Sequence, residues 1–232
     1  NVAEATLAQV DQALTVAQKA QPAWAHTPVE DRALALDKAA DLFEQHRSEL
    51  VALIVREAGR TVKNAIAEVR EAVDLCRYYA SCARYDLTPF LLPGYTGETN
   101  QMRHVGRGIV AAISPWNFPL AIFVGQVSAA LVAGNAVMAK PAEQTPLIAM
   151  RAVKLLHQAG IPADVLALLP GRGETVGAKL VNDPRISTVV FTGSTEVGRS
   201  INQALANRAG PIVPLIAETG GLNALIVETG DG

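Results

Sequence analysis

Residues 108–145 read GIVAAISPWNFPLAIFVGQVSAALVAGNAVMAKPAEQT, and this stretch decides the fold class. It begins with a short apolar strand at Gly108–Ile113, continues into a helix from about Pro119, and returns to a strand at Asn135–Ala139 before a second helix from about Thr145. Two strands that are separated by a helix of this length lie parallel, because the helix crosses over one face of their sheet. The pattern therefore predicts a parallel sheet covered by helices.

The same alternation continues towards the end of the chain. Further strands are predicted at Val165–Leu169, Ser187–Phe191, Ile212–Ala217 and Ala224–Val227, with helical stretches between the first three. We therefore predict an α/β fold with a doubly wound parallel sheet over residues 108–232. In such a sheet, ligands bind beyond the carboxyl ends of the strands, so the residues that follow each strand are the candidates for chemistry.

The first 86 residues have a different pattern and are predicted to form a helical segment, because their apolar residues recur at helical spacing. Pro22 and Pro28 are predicted to bracket a break between the first two helices. Gly59 and Thr61 are predicted to end one helix and to cap the next. Residues 87–107, where Pro and Gly are frequent, are predicted to form a linker or extended arm.

Composition argues against several classes of function. Half of the 232 residues are hydrophobic, which allows a sizeable core, and the net charge of −2 comes from interleaved charges of both signs. Such a surface offers no basic face, so we expect no nucleic-acid partner. No apolar run reaches the ~18 residues that a spanning helix needs, and the chain does not start like a secretory leader. We therefore predict a cytoplasmic protein without a membrane span.

Cysteine and histidine give no sign of a metal site or a disulfide. Cys76 and Cys82 lie six positions apart in one predicted helix, which a bridge between them would distort, so we predict that both are ordinary thiols. The histidines show no metal-ligand spacing with each other or with cysteine, and no metal is predicted. They are His26, His46, His104 and His157.

Two turns rich in small residues follow predicted strands. Thr192–Gly198, TGSTEVG, opens a helix whose N-terminal N–H groups would suit a pyrophosphate, although Ser194 or Thr195 could serve only as the helix cap. Gly171–Gly177, GRGETVG, has glycines spaced almost as in a dinucleotide fingerprint, but the last glycine comes one residue too late. It could instead only let a helix pack close to the sheet.

Three polar side chains follow other strands. Lys140 and Glu143 come at the end of the strand Asn135–Ala139, where they could bind the ribose hydroxyls of a nucleotide or belong to a solvated loop. Asn117 lies between two prolines that stiffen its turn, so its amide could stabilise an oxyanion or bond to its own backbone.

Glu218 follows the apolar strand Ile212–Ala217 and precedes two glycines that would let a ligand approach. We expect it to be partly buried, as in a general base, although structural carboxylates are common at strand ends.

In this order, the segments ISPWNFPLAIF, AKPAEQTPL, PGRGETVG, FTGSTEVG and AETGG resemble the aldehyde dehydrogenase superfamily over essentially the whole chain. Residues 56–73, 139–149 and 214–221 are similar to its glutamate-semialdehyde (pyrroline-5-carboxylate) dehydrogenase branch, as it occurs in the bifunctional proline-utilisation proteins. Thr219 favours this branch, because most members of the superfamily have Leu at that position. The resemblance implies NAD-dependent oxidation of L-glutamate γ-semialdehyde to glutamate in proline catabolism, by a homo-oligomeric enzyme with a Rossmann-like NAD-binding domain.

The resemblance also implies roles for individual residues. Asn117 would donate a hydrogen bond to the oxyanion, and Glu218 would activate the water that releases the acid product. Lys140 and Glu143 would bind the adenosine ribose, where the charge of Glu143 favours NAD over NADP. The remaining cofactor contacts would come from Gly193, Ser194 and Val197 at the pyrophosphate and adenine, together with Ser114, Pro115, Trp116, Gly173, Gly177, Phe191 and Gly220.

One family motif does not occur in these 232 residues. The nucleophilic cysteine of the family lies beyond the glutamate in a QRC-type motif, so we expect this chain to be a cofactor-binding half that ends before the catalytic domain and does not oxidise aldehydes alone. Two alternatives remain open. The chain could belong to another aldehyde dehydrogenase, such as one for succinate semialdehyde, or it could be a non-catalytic fragment for nucleotide binding or assembly.

Overall fold

A computed structural model describes residues 2–222 and 224–227. The chain starts with four helices, α1 (Leu7–His26), α2 (Val29–Gln45), α3 (Arg47–Ala58) and α4 (Val62–Asp86). A small antiparallel hairpin of β1 (Phe90–Leu92) and β2 (Asn100–Met102) follows. The remainder alternates strands and helices: β3 (Ile109–Ile113), α5 (Ala121–Val132), β4 (Ala136–Lys140), α6 (Pro146–Ala159), β5 (Leu166–Leu168), a π-helical turn (Gly173–Gly177) that continues into α7 (Ala178–Asn182), β6 (Ile186–Gly193), α8 (Thr195–Ala206) and β7 (Leu215–Thr219).

The five later strands form one parallel sheet in the order β5-β4-β3-β6-β7. The chain enters at β3, moves outward through β4 and β5, and then crosses to the other side of β3 to form β6 and β7. This arrangement confirms the predicted doubly wound α/β fold. It also places the topological switch point between β3 and β6, and a sheet of this kind binds ligands at the carboxyl edge of that point.

The hydrophobic core extends from the N-terminal helices to the sheet. Every residue of β3 and β4 is buried, so both faces of the sheet are covered at its centre. The indole N–H of Trp24 in α1 donates to the carbonyl of Leu131 at 2.9 Å, and Nε of Arg32 in α2 donates to the carbonyl of Val132 at 2.8 Å. The division of the chain at residues 86 and 107 stays a prediction, and side-chain packing is continuous across it.

The helix boundaries match the sequence signals in one region and depart from them in another. Gly59 adopts a left-handed conformation (φ 65°) at the end of α3, and the Thr61 hydroxyl accepts the N–H of Asn64 at the start of α4, as predicted. The predicted break between the first two helices occurs, but Pro22 does not border it, because Pro22 lies inside α1. The turn after it is held by the buried Trp24, and the break comes only at Pro28, which directly precedes α2.

The predicted linker or extended arm contains the hairpin of β1 and β2, whose residues are exposed. One other prediction needs correction. The predicted strand at residues 224–227 does not form, because its backbone finds no neighbouring strand among the described residues and its side chains lie in solvent. In the part of the chain that is described, no helix combines the length and the apolar character needed to cross a membrane.

Candidate active site

A cleft of about 640 Å³ opens along the carboxyl edge of the sheet, at the switch point between β3 and β6. The ends of the strands are in register there, with Ile113 paired to both Lys140 and Phe191, and Phe191 paired to Ala217. Every predicted site residue except Gly177 lines this cleft: Ser114, Pro115, Trp116, Asn117, Lys140, Glu143, Gly173, Phe191, Gly193, Ser194, Val197, Glu218 and Gly220. Parallel pairing thus gathers into one place residues that are up to about a hundred positions apart.

A narrower groove of about 400 Å³ adjoins this cleft and is mainly apolar. It lies between the segment 173–182 and α8, and the two cavities share Lys140, Gly173 and Val197. Gly177 lines this groove, where a Cβ atom would lie 3.6 Å from the methylene groups of Lys140. The groove's volume and mainly apolar lining are in the range of small-molecule pockets. Its walls include Ala178, Val181, Val197, Ile201 and Ala204.

Lys140 is the last residue of β4 and is buried, so its interpretation as part of a solvated loop is wrong. Its Nζ donates to the carbonyl of Pro141 at 3.0 Å and lies 3.5 Å from Oε2 of Glu143, whose side chain is exposed. Burial lowers the pKa of the Lys140 ammonium, and the charge of Glu143 opposes that shift. A buried ammonium with one close neutral acceptor and one distant carboxylate keeps donor capacity for a ligand in the cleft.

Asn117 lies in the exposed part of the turn between β3 and α5, beside Trp116. Its backbone carbonyl accepts a short hydrogen bond from the Arg60 guanidinium. Among the described residues, no partner is found for its side-chain amide, so the alternative in which that amide bonds to its own backbone does not apply. At the start of the turn, the Ser114 hydroxyl is buried in the cleft wall and has no described hydrogen-bond partner.

Ser194 caps α8, as one of the two sequence interpretations held. Its hydroxyl accepts the N–H of Val197 at 3.2 Å. The N–H groups of Thr195 and Glu196, in the same first turn, have no acceptor among the described residues. Capping and anion binding are therefore compatible here, because the first turn of a helix carries more free N–H groups than one cap can satisfy. The carboxylate of Glu196 lines the adjoining groove.

The three glycines Gly173, Gly193 and Gly220 line the cleft for two different structural reasons. A Cβ atom on Gly193 would lie 2.6 Å from Cζ of Phe191, so the Phe191 ring itself requires glycine at that position. A Cβ atom on Gly220 would meet no atom within 4 Å, and neither would one on Gly173. The backbone at Gly173 and Gly220 is therefore open towards the cleft, where a ligand can approach it closely.

Glu218 lines the cleft, but the predicted partial burial of its side chain is wrong. It lies in β7, which pairs with β6 only and has no second neighbour among the described residues. The apolar sequence before it suggested a buried strand, yet Ile216 is 56% exposed. Because β7 is an edge strand with one uncovered face, the carboxylate of Glu218 lies in solvent.

The two cysteines lie on α4 and line neither cavity. Cys76 is buried, and its burial raises the pKa of the thiol to about 12, which disfavours the nucleophilic thiolate. Cys82 is half-buried. The prediction that both are ordinary thiols agrees with these positions. In the described part of the chain, no cluster of three metal-binding side chains occurs either.

Several residues that support the cleft were missed by sequence reasoning. Arg60, in the loop between α3 and α4, bonds to the turn of Asn117, and Glu68 in α4 accepts the N–H of Leu120 directly after that turn. Glu57 accepts the N–H groups of Leu147 and Ile148, each at 2.8 Å, at the start of α6. These partners are more than 50 positions apart in sequence. No local pattern could have indicated them.

Comparison with known proteins agrees with this geometry. The model of the aldehyde dehydrogenase family matches residues 1–230. The chain belongs to the aldehyde dehydrogenase family. It is 53% identical over 231 residues to the bifunctional protein PutA of Klebsiella aerogenes, covering 98% of this chain and 17% of that protein. The chain thus spans about a sixth of the length of this PutA relative.

Solved structures of family members have the same fold. A crystal structure of proline utilization A from Bradyrhizobium japonicum matches with a TM-score of 0.93 and 55% identity, over 95% of this chain and 23% of that chain. A crystal structure of 1-pyrroline-5-carboxylate dehydrogenase from Thermus with bound NAD matches with a TM-score of 0.91 and 41% identity, over 94% of this chain and 43% of that one.

Proposed function

We propose that the chain is the cofactor-binding part of an enzyme that oxidises L-glutamate γ-semialdehyde, formed from pyrroline-5-carboxylate, to glutamate with NAD during proline breakdown. One observation carries the proposal: a single cleft at the switch point of the sheet gathers a buried ammonium, a free helix N-terminus, an exposed amide and a carboxylate. The NAD bound to the Thermus relative and the similarity to PutA support it.

In the proposed arrangement, the adenosine end of NAD has one orientation in the cleft and groove. The apolar groove between residues 173–182 and α8 would take the adenine ring. The ribose would then lie at Lys140 and Glu143, which offer a donor and an acceptor to its hydroxyls. The pyrophosphate would bind the N–H groups at the start of α8, beside Gly193 and Ser194, where the helix dipole favours an anion.

The nicotinamide end would extend towards the turn of Asn117 and the end of β7. When bound, NAD supplies the acceptor for the hydride that leaves the aldehyde carbon. The amide of Asn117 would donate a hydrogen bond to the substrate oxygen as negative charge develops there. The carboxylate of Glu218 would take a proton from the water that releases the acid product. Ser114, Pro115, Trp116, Phe191 and Gly220 would shape the walls around the ring.

A specific observation favours a second candidate function. Since neither cysteine lines the cleft, these residues by themselves fit nucleotide binding better than covalent chemistry on an aldehyde. A non-catalytic nucleotide-binding fragment is therefore the alternative. Within the enzyme class, another aldehyde such as succinate semialdehyde is the competing substrate. The cytoplasmic location and the homo-oligomeric state inferred from the sequence stay predictions.

Substrate competition tests the proposal. The gene product that carries this chain is assayed for NAD reduction with glutamate semialdehyde and with succinate semialdehyde at equal concentrations. We expect kcat/KM to be at least about tenfold higher for glutamate semialdehyde. One or two polar contacts between enzyme and substrate are enough to produce such a difference. Equal values, or a preference for succinate semialdehyde, would assign the chain to another branch of the family. Activity with neither aldehyde, alongside measurable NAD binding, would favour the non-catalytic alternative.

A further inference from the structure

We propose that Arg60, in the loop between α3 and α4, and Glu68, in α4, are positioning residues that fix the turn carrying Asn117. The inference deepens the proposed function, because it rests on the role given to the Asn117 amide. The turn, residues 114–119, joins the end of β3 to the start of α5 and lies in the wall of the cleft. Neither Arg60 nor Glu68 lines that cleft. They would act through the turn and not on a ligand.

Arg60 holds two consecutive residues of the turn with one side chain. Its guanidinium donates to the backbone carbonyl of Asn117. The guanidinium carbon also lies 4.1 Å from the centre of the Phe118 ring, so the planar cation lies over that ring. A hydrogen bond to the Asn117 carbonyl fixes the plane of the peptide after Asn117, and the stacking fixes the next side chain. Together they limit the directions in which the exposed Asn117 amide can point.

Glu68 connects Arg60 to the end of the turn. Its carboxylate is fully buried, with Oε1 accepting the N–H of Leu120 at 2.8 Å and of Ala121 at 3.4 Å. These are the first groups of α5, directly after the turn. Its Oε2 lies 3.3 Å from Nε of Arg60 in an ion pair without hydrogen-bond geometry, and neither atom has a hydrogen-bond partner among the described residues. One carboxylate therefore joins the start of α5 to the arginine that holds the middle of the turn.

The buried position of Glu68 is unfavourable for the charged form of its carboxyl group. Burial raises the pKa of this carboxyl group, and the N–H groups of Leu120 and Ala121 and the charge of Arg60 oppose that shift. An apolar residue would pack in the same space without desolvation. By contrast, the ion pairs that Arg84 of α4 makes with Glu30 and Asp37 of α2 are partly exposed and lie outside the cleft.

Nuclear magnetic resonance of the 232-residue chain tests the proposal without any cofactor. The chain has two tryptophans, so a ¹H–¹⁵N spectrum contains two indole N–H signals. Trp116 flanks Asn117 in the turn, whereas Trp24 is buried and bonded to Leu131. The variants Trp116→Phe and Asn117→Ala assign the Trp116 indole and the Asn117 amide. The Trp24 signal then serves as an internal control for the fold.

We expect Arg60→Gln to shift or broaden the signals of Trp116 and Asn117 while the Trp24 signal stays in place. Arg60→Lys keeps a positive donor within reach of the carbonyl and of Glu68, so it should restore most of the wild-type positions. The control Arg84→Gln removes two ion pairs between α4 and α2, outside the cleft, and should move neither signal. Unmoved Trp116 and Asn117 signals in Arg60→Gln would overturn the proposal, because the residue would then contribute to stability only.

A second variant keeps the test decisive if Arg60→Gln does not fold. Glu68→Gln retains an acceptor for the N–H groups of α5 but loses the ionic contact with Arg60, and it should also move the Asn117 signal. Unchanged signals in a folded Glu68→Gln chain would contradict the proposal. The outcome is independent of NAD binding: a chain that binds no NAD can still show the shifts, and such a result would count against the proposed function alone.

Discussion

Nε2 of Gln126 donates to Oγ1 of Thr192 at 3.0 Å, which joins α5 to the end of β6. The same nitrogen lies 3.4 Å from the carbonyl of Ile113, the last residue of β3. One buried amide therefore connects the two strands that flank the switch point of the sheet, directly behind the cleft. Its Oε1 has no hydrogen-bond partner among the described residues. This side chain adds to the backbone pairing that already joins β3 and β6.

The contact between Gln126 and Thr192 can be measured with a double-mutant cycle. Gln126→Met and Thr192→Val each remove the bond with little change in side-chain volume. We expect the two changes to couple by about 1 kcal/mol in the free energy of unfolding, the usual net value of a hydrogen bond. Chemical denaturation of the wild type, both single variants and the double variant gives the coupling. Additive effects would mean that the two side chains do not interact in solution.

Lys140→Met separates binding from stability. Burial lowers the folded pKa of Lys140 below its unfolded value of about 10.4. The ammonium therefore costs stability at neutral pH, and this cost is relieved as the pH rises through the folded pKa. We expect the variant to be at least as stable as the wild type at pH 7 but to bind NAD about tenfold more weakly, because a charge-assisted hydrogen bond is lost. Thermal unfolding and calorimetry check the two parts.

A Lys140→Met variant that keeps the wild-type affinity for NAD would remove this lysine from the site. A variant that is strongly destabilised at pH 7 would show instead that the ammonium has a structural role.

Glu143→Gln tests the preference for NAD over NADP. The Glu143 carboxylate lies 3.5 Å from Nζ of Lys140, and its charge would repel the 2′-phosphate of NADP. Removing the charge while keeping an acceptor should lower the dissociation constant for NADP, divided by that for NAD, by about tenfold. A change of this size corresponds to the loss of one unfavourable contact between like charges. Titration of the wild type and of Glu143→Gln with each cofactor measures the ratio. The control Glu49→Gln, whose carboxylate pairs with Arg151 outside the cleft, should leave it unchanged.

Asp183 is expected to make the free energy of unfolding depend on pH in the acidic range. Its carboxylate accepts from Nη2 of Arg185 at 2.8 Å and from Nζ of Lys179 at 3.1 Å, and these contacts hold its pKa well below the usual range. A lowered pKa contributes stability above the unfolded value of about 3.9, and this contribution is lost as the pH falls through the folded pKa. We expect Asp183→Asn to cost about 2 kcal/mol at pH 7, with a smaller cost below pH ~3.9.

Urea unfolding of wild type and Asp183→Asn between pH 7 and pH 2.5 checks this dependence. Asp41→Asn loses only an exposed pair with Arg77 and should change the free energy of unfolding by less than about 1 kcal/mol. A cost for Asp183→Asn that stays constant down to the lowest pH would contradict the role given to the ionised carboxylate.

The fold and the composition of the cleft followed from local patterns. The strand and helix alternation of residues 108–193 fixes the parallel sheet, and parallel pairing gathers the ends of its strands at one edge. The residues after those strands then had to meet, which is why Asn117, Lys140 and Ser194 line one cleft.

The features that sequence reasoning missed depend on contacts between distant segments. The burial of a strand depends on its neighbours, so the apolar run before Glu218 indicated a core strand although β7 is an edge. The single predicted element that did not form, at residues 224–227, had the composition of a strand but no partner for its backbone. Likewise, the buried Glu68 bonds to the start of a helix more than 50 positions away. A glutamate in an amphipathic helix is expected to have an exposed side chain, so the sequence pattern pointed the other way.

Calorimetric titration of the 232-residue chain with NAD tests the central claim most directly, because the claim is that the cleft between β3 and β6 binds this cofactor. We predict saturable binding with a stoichiometry near one, weakened by Lys140→Met and unaffected by Glu49→Gln. No heat at millimolar NAD from a chain whose circular dichroism shows it to be folded would contradict the account, and so would binding that Lys140→Met leaves unchanged.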